Sequence, residues 1–208
     1  SITDESKPEE RDRDLNLYDP DNPNQPPYTT EFLATFADAQ VARNRRITAW
    51  VRKKLESIRA SDSPWSEFAF TVHGTMADPR WLDPNVEPSD RQPGTCYLGD
   101  PKIVNDGPVG LARFCTLRSW LSQWSFDESN ADGVACAERV RVPGMVIGNM
   151  ADVACTPSHH QRLFDALGSE DKQLHEIAGA THYYIGQREE LAEAAGICSA
   201  WLTERGLA

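Results

Sequence analysis

The chain has 208 residues, enough for one domain with a sizeable core, and it is acidic: 32 Asp and Glu residues against 21 Lys and Arg residues give a formal net charge of -11 at pH 7. An acidic surface repels phosphate groups, which argues against nucleic acid or an anionic membrane as a partner. No apolar run approaches the length of a membrane span, and the first residues lack the basic and apolar regions of a signal peptide, so the sequence predicts a soluble, cytoplasmic protein.

The first predicted segment, residues 1–28, is an exposed connector, because it is rich in Asp, Glu, Arg, Asn and Pro and holds few apolar side chains. From Thr29 or Thr30, either of which can cap a helix, apolar residues recur at helical spacing as far as Ile58, and this predicts one or two long helices. A basic band runs along them (Arg43, Arg45, Arg46, Arg52, Lys53 and Lys54). We interpret the band as a solvated helix face that pairs with acidic neighbours, with binding of a substrate carboxylate as the alternative.

A strand is predicted after Glu67, and it ends in Gly74, small residues and Asp78 followed by Pro79. A carboxylate just beyond a strand can orient a catalytic histidine. Asp78 is therefore one of two candidates for the acid of a catalytic site, and it is the second choice.

Residues 81–110 are rich in Pro and Gly and too broken for long elements. The spacing of apolar residues over 111–124 predicts a helix. The apolar side chains that would share one face are Phe114, Leu117, Trp120, Leu121 and Trp124. Tryptophans at helical spacing are more typical of a core than of a substrate platform. Four aromatic residues are nevertheless candidates for substrate binding (Trp81, Trp120, Trp124 and Tyr183).

The most informative part of the sequence starts at Val142, where a short apolar run follows a Pro and predicts a strand buried on both faces. Asp152 comes just after this strand. Thr156 and Pro157 then have the residue types of a helix cap and of the first helical position, and the helix should continue to about Leu167.

A second strand is predicted over residues 173–178, and a loop with His182 follows it before a C-terminal helix. In open α/β sheets, functional groups lie outside the carboxyl ends of the strands, so the loops of Asp152 and His182 should lie side by side. A carboxylate beside an imidazole fixes its tautomer and stabilises its protonated form, as acyl transfer requires. We predict that Asp152 and His182 form a hydrogen-bonded catalytic pair.

These motifs, Gly-Asn-Met-Ala-Asp152 before a Pro-capped helix and Gly-Ala-Thr-His182, resemble the C-terminal part of the α/β-hydrolase family. The family order of nucleophile, acid and histidine fits as well. The resemblance implies a Ser-His-Asp triad and also a Gly-x-Ser-x-Gly nucleophile elbow, but that elbow is absent from the sequence.

The predicted fold class is therefore α/β: part of a doubly wound, mostly parallel α/β-hydrolase sheet with a largely helical lid insertion. Residues 29–132 would form the mostly helical lid, and residues 133–208 the C-terminal part of the core. The partner implied by the missing elbow is an N-terminal half of the same hydrolase, which would carry the nucleophile.

The function implied is hydrolysis of an ester, thioester or amide bond in a fairly apolar small molecule, by an esterase-like or peptidase-like enzyme. Two alternatives remain open: epoxide hydrolase or dehalogenase chemistry with an Asp nucleophile, and a non-catalytic, hydrolase-like binding protein.

No cofactor is expected. No metal is expected either, because the adjacent histidines His159 and His160 point to different faces of a helix and cannot bind one ion together. The five cysteines are an odd set without Cys-x-x-Cys spacing, which predicts free thiols, and Cys155 should be a small buried side chain.

Overall fold

The computed structural model describes residues 13–207, which form two compact units. The first unit contains the described residues up to Pro79 together with Leu98–Asp132, and the second contains Arg80–Tyr97 and the described residues from Gly133 onward. Within residues 13–207, no helix combines the length and the apolarity that crossing a bilayer requires.

A single long helix dominates the first unit. This helix, α1 (Thr30–Arg59), starts at Thr29, whose hydroxyl accepts a hydrogen bond from the Phe32 backbone N–H at 3.1 Å. Its apolar face packs on a small antiparallel sheet made of β1 (Ala69–Thr71) and β2 (Phe114–Thr116). The core between them contains eight buried residues: Ile47, Val51, Leu55, Phe70, Val72, Cys115, Leu117 and Trp120.

The basic band on α1 is only partly a solvated face. Arg45 pairs with Asp127 at 2.8 Å and Arg52 with Glu128 at 2.7 Å, so the predicted pairing with acidic neighbours is confirmed for these two residues. Arg43 is different, because it is buried and its guanidinium donates to the backbone carbonyl groups of His73 and Gly74. A buried cation keeps its charge only where such hydrogen bonds replace water.

The predicted helix over residues 111–124 is wrong at its start. Phe114 lies in β2 and is 73% exposed, so it does not share a buried face with Trp120. The helical part begins only at Thr116, where Thr116 and Ser119 form a reciprocal capping box. A short helix α4 (Leu117–Ser119) and one π-helical turn (Trp120–Trp124) follow. Pairing of β2 with β1 overrides the helical pattern of this segment.

Part of the predicted connector is ordered against the first unit. Residues 1–12 lie outside the described part of the chain, and a 3-10 turn (Arg13–Leu15) begins that part. Leu17 is buried, and the hydroxyl of Tyr18 donates to the Met76 backbone carbonyl at 2.6 Å. Residues just after the turn are therefore packed rather than fully exposed.

Two predicted strands and two predicted helices organise the second unit. Strand β3 (Gly144–Asn149) pairs in parallel with β4 (Lys172–Ile177), with Gly144 opposite Lys172 and Asn149 opposite Ile177. The helix between them, α6 (Pro157–Ala166), and the C-terminal helix, α7 (Arg188–Glu204), are close to their predicted bounds. The remaining helices are short: α2 (Pro79–Leu82), α3 (Pro101–Asp106) and α5 (Gly133–Ala137).

The sheets have fewer strands than the predicted doubly wound sheet. The described residues contain seven α-helices and two sheets of two strands each, so the fold is mixed α/β without a doubly wound parallel sheet. The prediction that the first strand is buried on both faces is also wrong, because Gly148 is its only buried residue. Within residues 13–207, β3 pairs with one neighbour and has no strand on its other side to cover it.

Gly148 has a packing role, because any side chain at this position would displace the ring of His160. A Cβ atom built there would lie 2.3 Å from two ring atoms of His160, which is 4% exposed on α6. Nε2 of His160 lies 3.0 Å from a carboxylate oxygen of Glu176, on the strand next to Gly148. The glycine lets α6 approach β3 closely, and this fixes the helix that follows the Asp152 loop.

Candidate active site

The loops after β3 and β4 are joined by backbone hydrogen bonds. Met150 N–H donates to the Ile177 carbonyl at 3.0 Å, and Ala151 N–H donates to the Ala180 carbonyl at 2.9 Å. Ile177 and Ala180 are fully buried and pack with Ala194 of α7. The parallel pairing of the two strands thus continues into their loops, as expected where two strands end at the same edge.

Side chains hold the histidine loop in one shape. Gln187 accepts hydrogen bonds from the N–H and hydroxyl of Thr181, at 2.8 and 2.7 Å, and donates to the Gly179 carbonyl at 2.7 Å. Tyr184 has a left-handed backbone, with φ of 52°, and its hydroxyl donates to Oδ1 of Asn149 at 2.6 Å. A non-glycine residue in this conformation is strained, and such strain persists where surrounding contacts fix it.

Asp152 is buried, and both oxygens of its carboxylate take part in hydrogen bonds. One oxygen, Oδ1, accepts hydrogen bonds from the backbone N–H groups of Ala154 at 2.7 Å and Cys155 at 2.9 Å. The other, Oδ2, lies 2.8 Å from Nδ1 of His182. Asp152 is 5% exposed, so these three hydrogen bonds take the place of water around its charge.

The predicted hydrogen bond between Asp152 and His182 is therefore confirmed. Because a carboxylate only accepts hydrogen bonds, Nδ1 carries the proton and Nε2 has a free lone pair when the imidazole is neutral. Among the described residues, Nε2 has no hydrogen-bond partner, and the His182 side chain is 31% exposed. This arrangement places an accessible base over a buried carboxylate.

His182 opens into a pocket of about 470 Å³ within the second unit. The rings of Tyr183 and Tyr97 flank the imidazole, with centroids 4.5 and 6.2 Å from it. Burial raises the pKa of Tyr97, and the nearby Cys96 and Tyr183 raise it further, so Tyr97 stays protonated as a hydrogen-bond donor. A volume of this size is within the range of small-molecule sites.

The other aromatic candidates have internal contacts. The indole N–H of Trp81 donates to the Val153 carbonyl at 2.7 Å, which supports the loop of Asp152 from one side. In the first unit, the indole N–H of Trp120 donates to the Thr48 hydroxyl at 3.0 Å, and Trp124 packs against the core. Of the four candidates, only Tyr183 lines the pocket of His182 among the described residues.

The two candidate acids have different places in the fold. Asp78 is half-buried in the first unit, whereas Asp152 is the carboxylate that His182 contacts. Two strand-to-loop patterns in the sequence look alike, and the one after β3 is joined to the histidine loop by the hydrogen bonds described above.

Sequence reasoning missed Asp90 and Glu87, which come from an irregular segment without a motif. The Asp90 backbone N–H donates to the Met150 carbonyl at 3.0 Å, and its Oδ2 accepts from the Gly179 N–H at 2.8 Å. Asp90 therefore contacts both the loop of Asp152 and the loop of His182. A single carboxylate in a Pro-rich segment carries no sequence signal of this role.

Glu87 caps α6 from outside the helix. Its carboxylate accepts hydrogen bonds from the Ser158 N–H at 2.5 Å and the Thr156 hydroxyl at 3.0 Å, and it pairs with Arg80 at 3.3 Å. Burial raises the pKa of Glu87, but the hydrogen bonds from Ser158, Thr156 and Arg80 outweigh that effect and hold the pKa below its ordinary value. His159 is also at this site, with its Nε2 3.3 Å from a guanidinium nitrogen of Arg80.

We expect Glu87→Gln to lower the free energy of unfolding by about 1–2 kcal/mol at pH 7, because it removes a charged cap and an ion pair. A pKa that is lower in the folded state stabilises the fold above the unfolded-state pKa, and this contribution is lost as the pH falls through the folded-state value. The difference in urea unfolding between the two proteins should therefore shrink in acid. The control is Glu193→Gln, an exposed residue of α7, and a difference that stays constant in acid would contradict the assignment.

Cys155 is exposed, not a buried apolar side chain as predicted. Desolvation raises the pKa of its thiol and the Asp152 carboxylate raises it further, so the thiolate form that a cysteine nucleophile needs is disfavoured. All five cysteines are free thiols. Among the described residues, no serine lines the pocket of His182.

No protein-family model matches the chain, and no curated protein matches it. A crystal structure of the monoacylglycerol lipase from Paleococcus ferrophilus is similar to it, with a TM-score of 0.39 and 20% sequence identity. The match covers 76% of this chain and 51% of the lipase chain, so the chain spans about half the length of the solved structure it matches.

Proposed function

We propose that this chain supplies the histidine and the acid of a Ser-His-Asp triad in an α/β-type hydrolase. The observation that carries the proposal is the 2.8 Å contact between Asp152 Oδ2 and His182 Nδ1, with Nε2 unpartnered beside a pocket. A general base needs this combination: a fixed tautomer, a free lone pair and room for a substrate.

His182 has two roles in the proposed reaction. Its Nε2 takes the proton from the nucleophile hydroxyl as the hydroxyl oxygen attacks the substrate carbonyl carbon, and then returns that proton to the leaving group. Asp152 stays ionised and stabilises the imidazolium that forms between these steps. A water molecule, activated by the same nitrogen, then cleaves the acyl-enzyme.

The walls of the pocket support a fairly apolar substrate of modest size. Apolar and aromatic side chains line it together with a few neutral polar groups, and Asp90 is its one carboxylate among the described residues. Ester, thioester and amide bonds share the carbonyl carbon that this chemistry requires. The two tyrosines beside His182 offer flat surfaces for the group bonded to the scissile carbonyl.

We propose further that the nucleophile comes from polypeptide outside these 208 residues, from an N-terminal half of the same hydrolase. The absence of Gly-x-Ser-x-Gly from the sequence supports this, because only a sharp strand-to-helix turn with small neighbours exposes the hydroxyl.

A fluorophosphonate probe tests whether the nucleophile is a serine and whether it lies outside this chain. The probe is applied to native material that is purified by capturing this chain together with any bound polypeptide. We expect the mass of the probe to appear, by intact-mass and peptide analysis, on a serine outside the 208 residues. An adduct on a serine of this chain would contradict the proposed source of the nucleophile. Turnover without any adduct would point to an Asp nucleophile, as in epoxide hydrolases, because a carboxylate does not react with this probe.

A further inference from the structure

Three metal-ligand side chains converge beside the pocket: Asp152, Cys155 and His182. One donor atom from each lies within 4.8 Å of the donors of the other two. The backbone explains their convergence, because Oδ1 of Asp152 accepts the N–H groups of Ala154 and Cys155 and thereby folds the loop into a tight turn. This turn keeps Cys155 close to the carboxylate of Asp152.

We propose that this cluster is a binding site for a thiophilic divalent cation, with Zn²⁺ as the best match. Oxygen, sulfur and nitrogen donors from three residues, with a fourth position left for water, are the ligand set of open zinc sites. Hard cations such as Mg²⁺ prefer oxygen ligands and should bind poorly.

The geometry needs two adjustments, an approach of the Cys155 thiol and a slight separation of Asp152 and His182. Tetrahedral zinc with bonds of about 2.0–2.3 Å places its donor atoms about 3.4–3.6 Å apart, which is closer than the largest separation here. Cys155 is exposed, so its side chain can rotate without disturbing a packed core. Oδ2 of Asp152 and Nδ1 of His182 are 2.8 Å apart, so these two atoms would have to separate by about 0.6 Å as an ion replaces their hydrogen bond with two metal bonds.

The charges of the cluster balance those of the ion. Binding releases the thiol proton of Cys155 to solvent, and the neutral imidazole moves its proton through solvent from Nδ1, which would bind the ion, to Nε2. The thiolate and the Asp152 carboxylate then carry two negative charges, which offset the two positive charges of Zn²⁺. This neutrality favours binding at a site where Asp152 is 5% exposed.

An ion at this site would inhibit the proposed hydrolase, because it breaks the contact that orients His182. This consequence rests on the proposed function, whereas the binding does not. The site would make the proposed enzyme sensitive to free zinc. This sensitivity depends on the thiol of Cys155, which supplies the sulfur ligand.

Cadmium provides a direct readout, because a Cd²⁺–thiolate bond absorbs in the ultraviolet. Metal-free full chain should show this absorption on titration with Cd²⁺, saturating at one equivalent and reversed by Zn²⁺ but not by Mg²⁺. Cys155→Ser should abolish it. The control Cys136→Ser removes a different exposed cysteine and should leave it unchanged.

His182→Ala separates a built site from binding by a thiolate alone. Loss of an outer-sphere partner already weakens metal sites by about 10–100-fold, so loss of a direct ligand should weaken Cd²⁺ binding at least tenfold. Unchanged affinity in His182→Ala, or absorption that survives in Cys155→Ser, would overturn the proposal. Binding of Cd²⁺ to this chain, together with metal-free native material that proves inactive towards esters with every polypeptide present, would leave the cation site standing and refute the hydrolase.

Discussion

Replacing His182 by alanine should lower kcat/KM for ester hydrolysis by about 10⁴-fold or more in the assembled enzyme. The variant loses the only group in the proposed mechanism that takes the proton from the nucleophile and returns it to the leaving group. Labelling by the fluorophosphonate probe should slow in parallel, because the same base activates the serine. The measurement is steady-state hydrolysis of a chromogenic ester.

A matched control is His175→Ala, a half-buried histidine of β4 that lies outside the pocket. We expect it to keep activity within a few-fold of the parent protein, since no proposed step uses it. Activity that survives in the His182 variant, or an equal loss in both variants with intact folding by circular dichroism, would contradict the role of His182.

Asp152→Asn should lower kcat by up to about 10⁴-fold, less than the loss of His182, because the imidazole remains in place. The amide can still accept the N–H groups of Ala154 and Cys155, so the loop keeps its turn. It cannot stabilise an imidazolium, however, and its NH₂ group facing Nδ1 would favour the wrong tautomer. The expected signature is a lower kcat with a nearly unchanged KM.

Asp78→Asn is the control for the choice of acid, because Asp78 also follows a strand and Gly-rich turn. It should leave kcat near the value of the parent protein. Loss of activity in Asp78→Asn together with retention in Asp152→Asn would show that the acid loop is the other one.

The sequence predicts the elements around the candidate site well because their signals are local. The apolar run at β3, the Pro at the start of α6 and the spacing along α7 each report on contacts within a few residues. The pairing of Asp152 with His182 follows from the rule that parallel strands end at one edge. No long-range information was needed for either inference.

The predictions that were wrong, and the residues that were missed, involve contacts between residues that are distant in the sequence. Phe114 fits a helical pattern but pairs across a sheet with Thr71, and Arg43 fits a solvated band but binds carbonyl groups of the loop after β1. Glu87 and Asp90 lie in a Pro-rich segment, where no periodicity indicates what they contact. Tertiary contacts override local preference at such positions.

Nitrogen NMR of His182 tests the central claim most directly, because the buried Asp152 carboxylate should select the tautomer of this ring. In protein labelled with ¹⁵N-histidine, we expect neutral His182 to carry its proton on Nδ1, with a downfield ¹H resonance for that proton that shifts or disappears in Asp152→Asn. His182→Ala identifies the signal among the five histidines. A proton on Nε2 of neutral His182, unaffected by Asp152→Asn, would contradict the account, since Nε2 would then have no lone pair with which to act as the base.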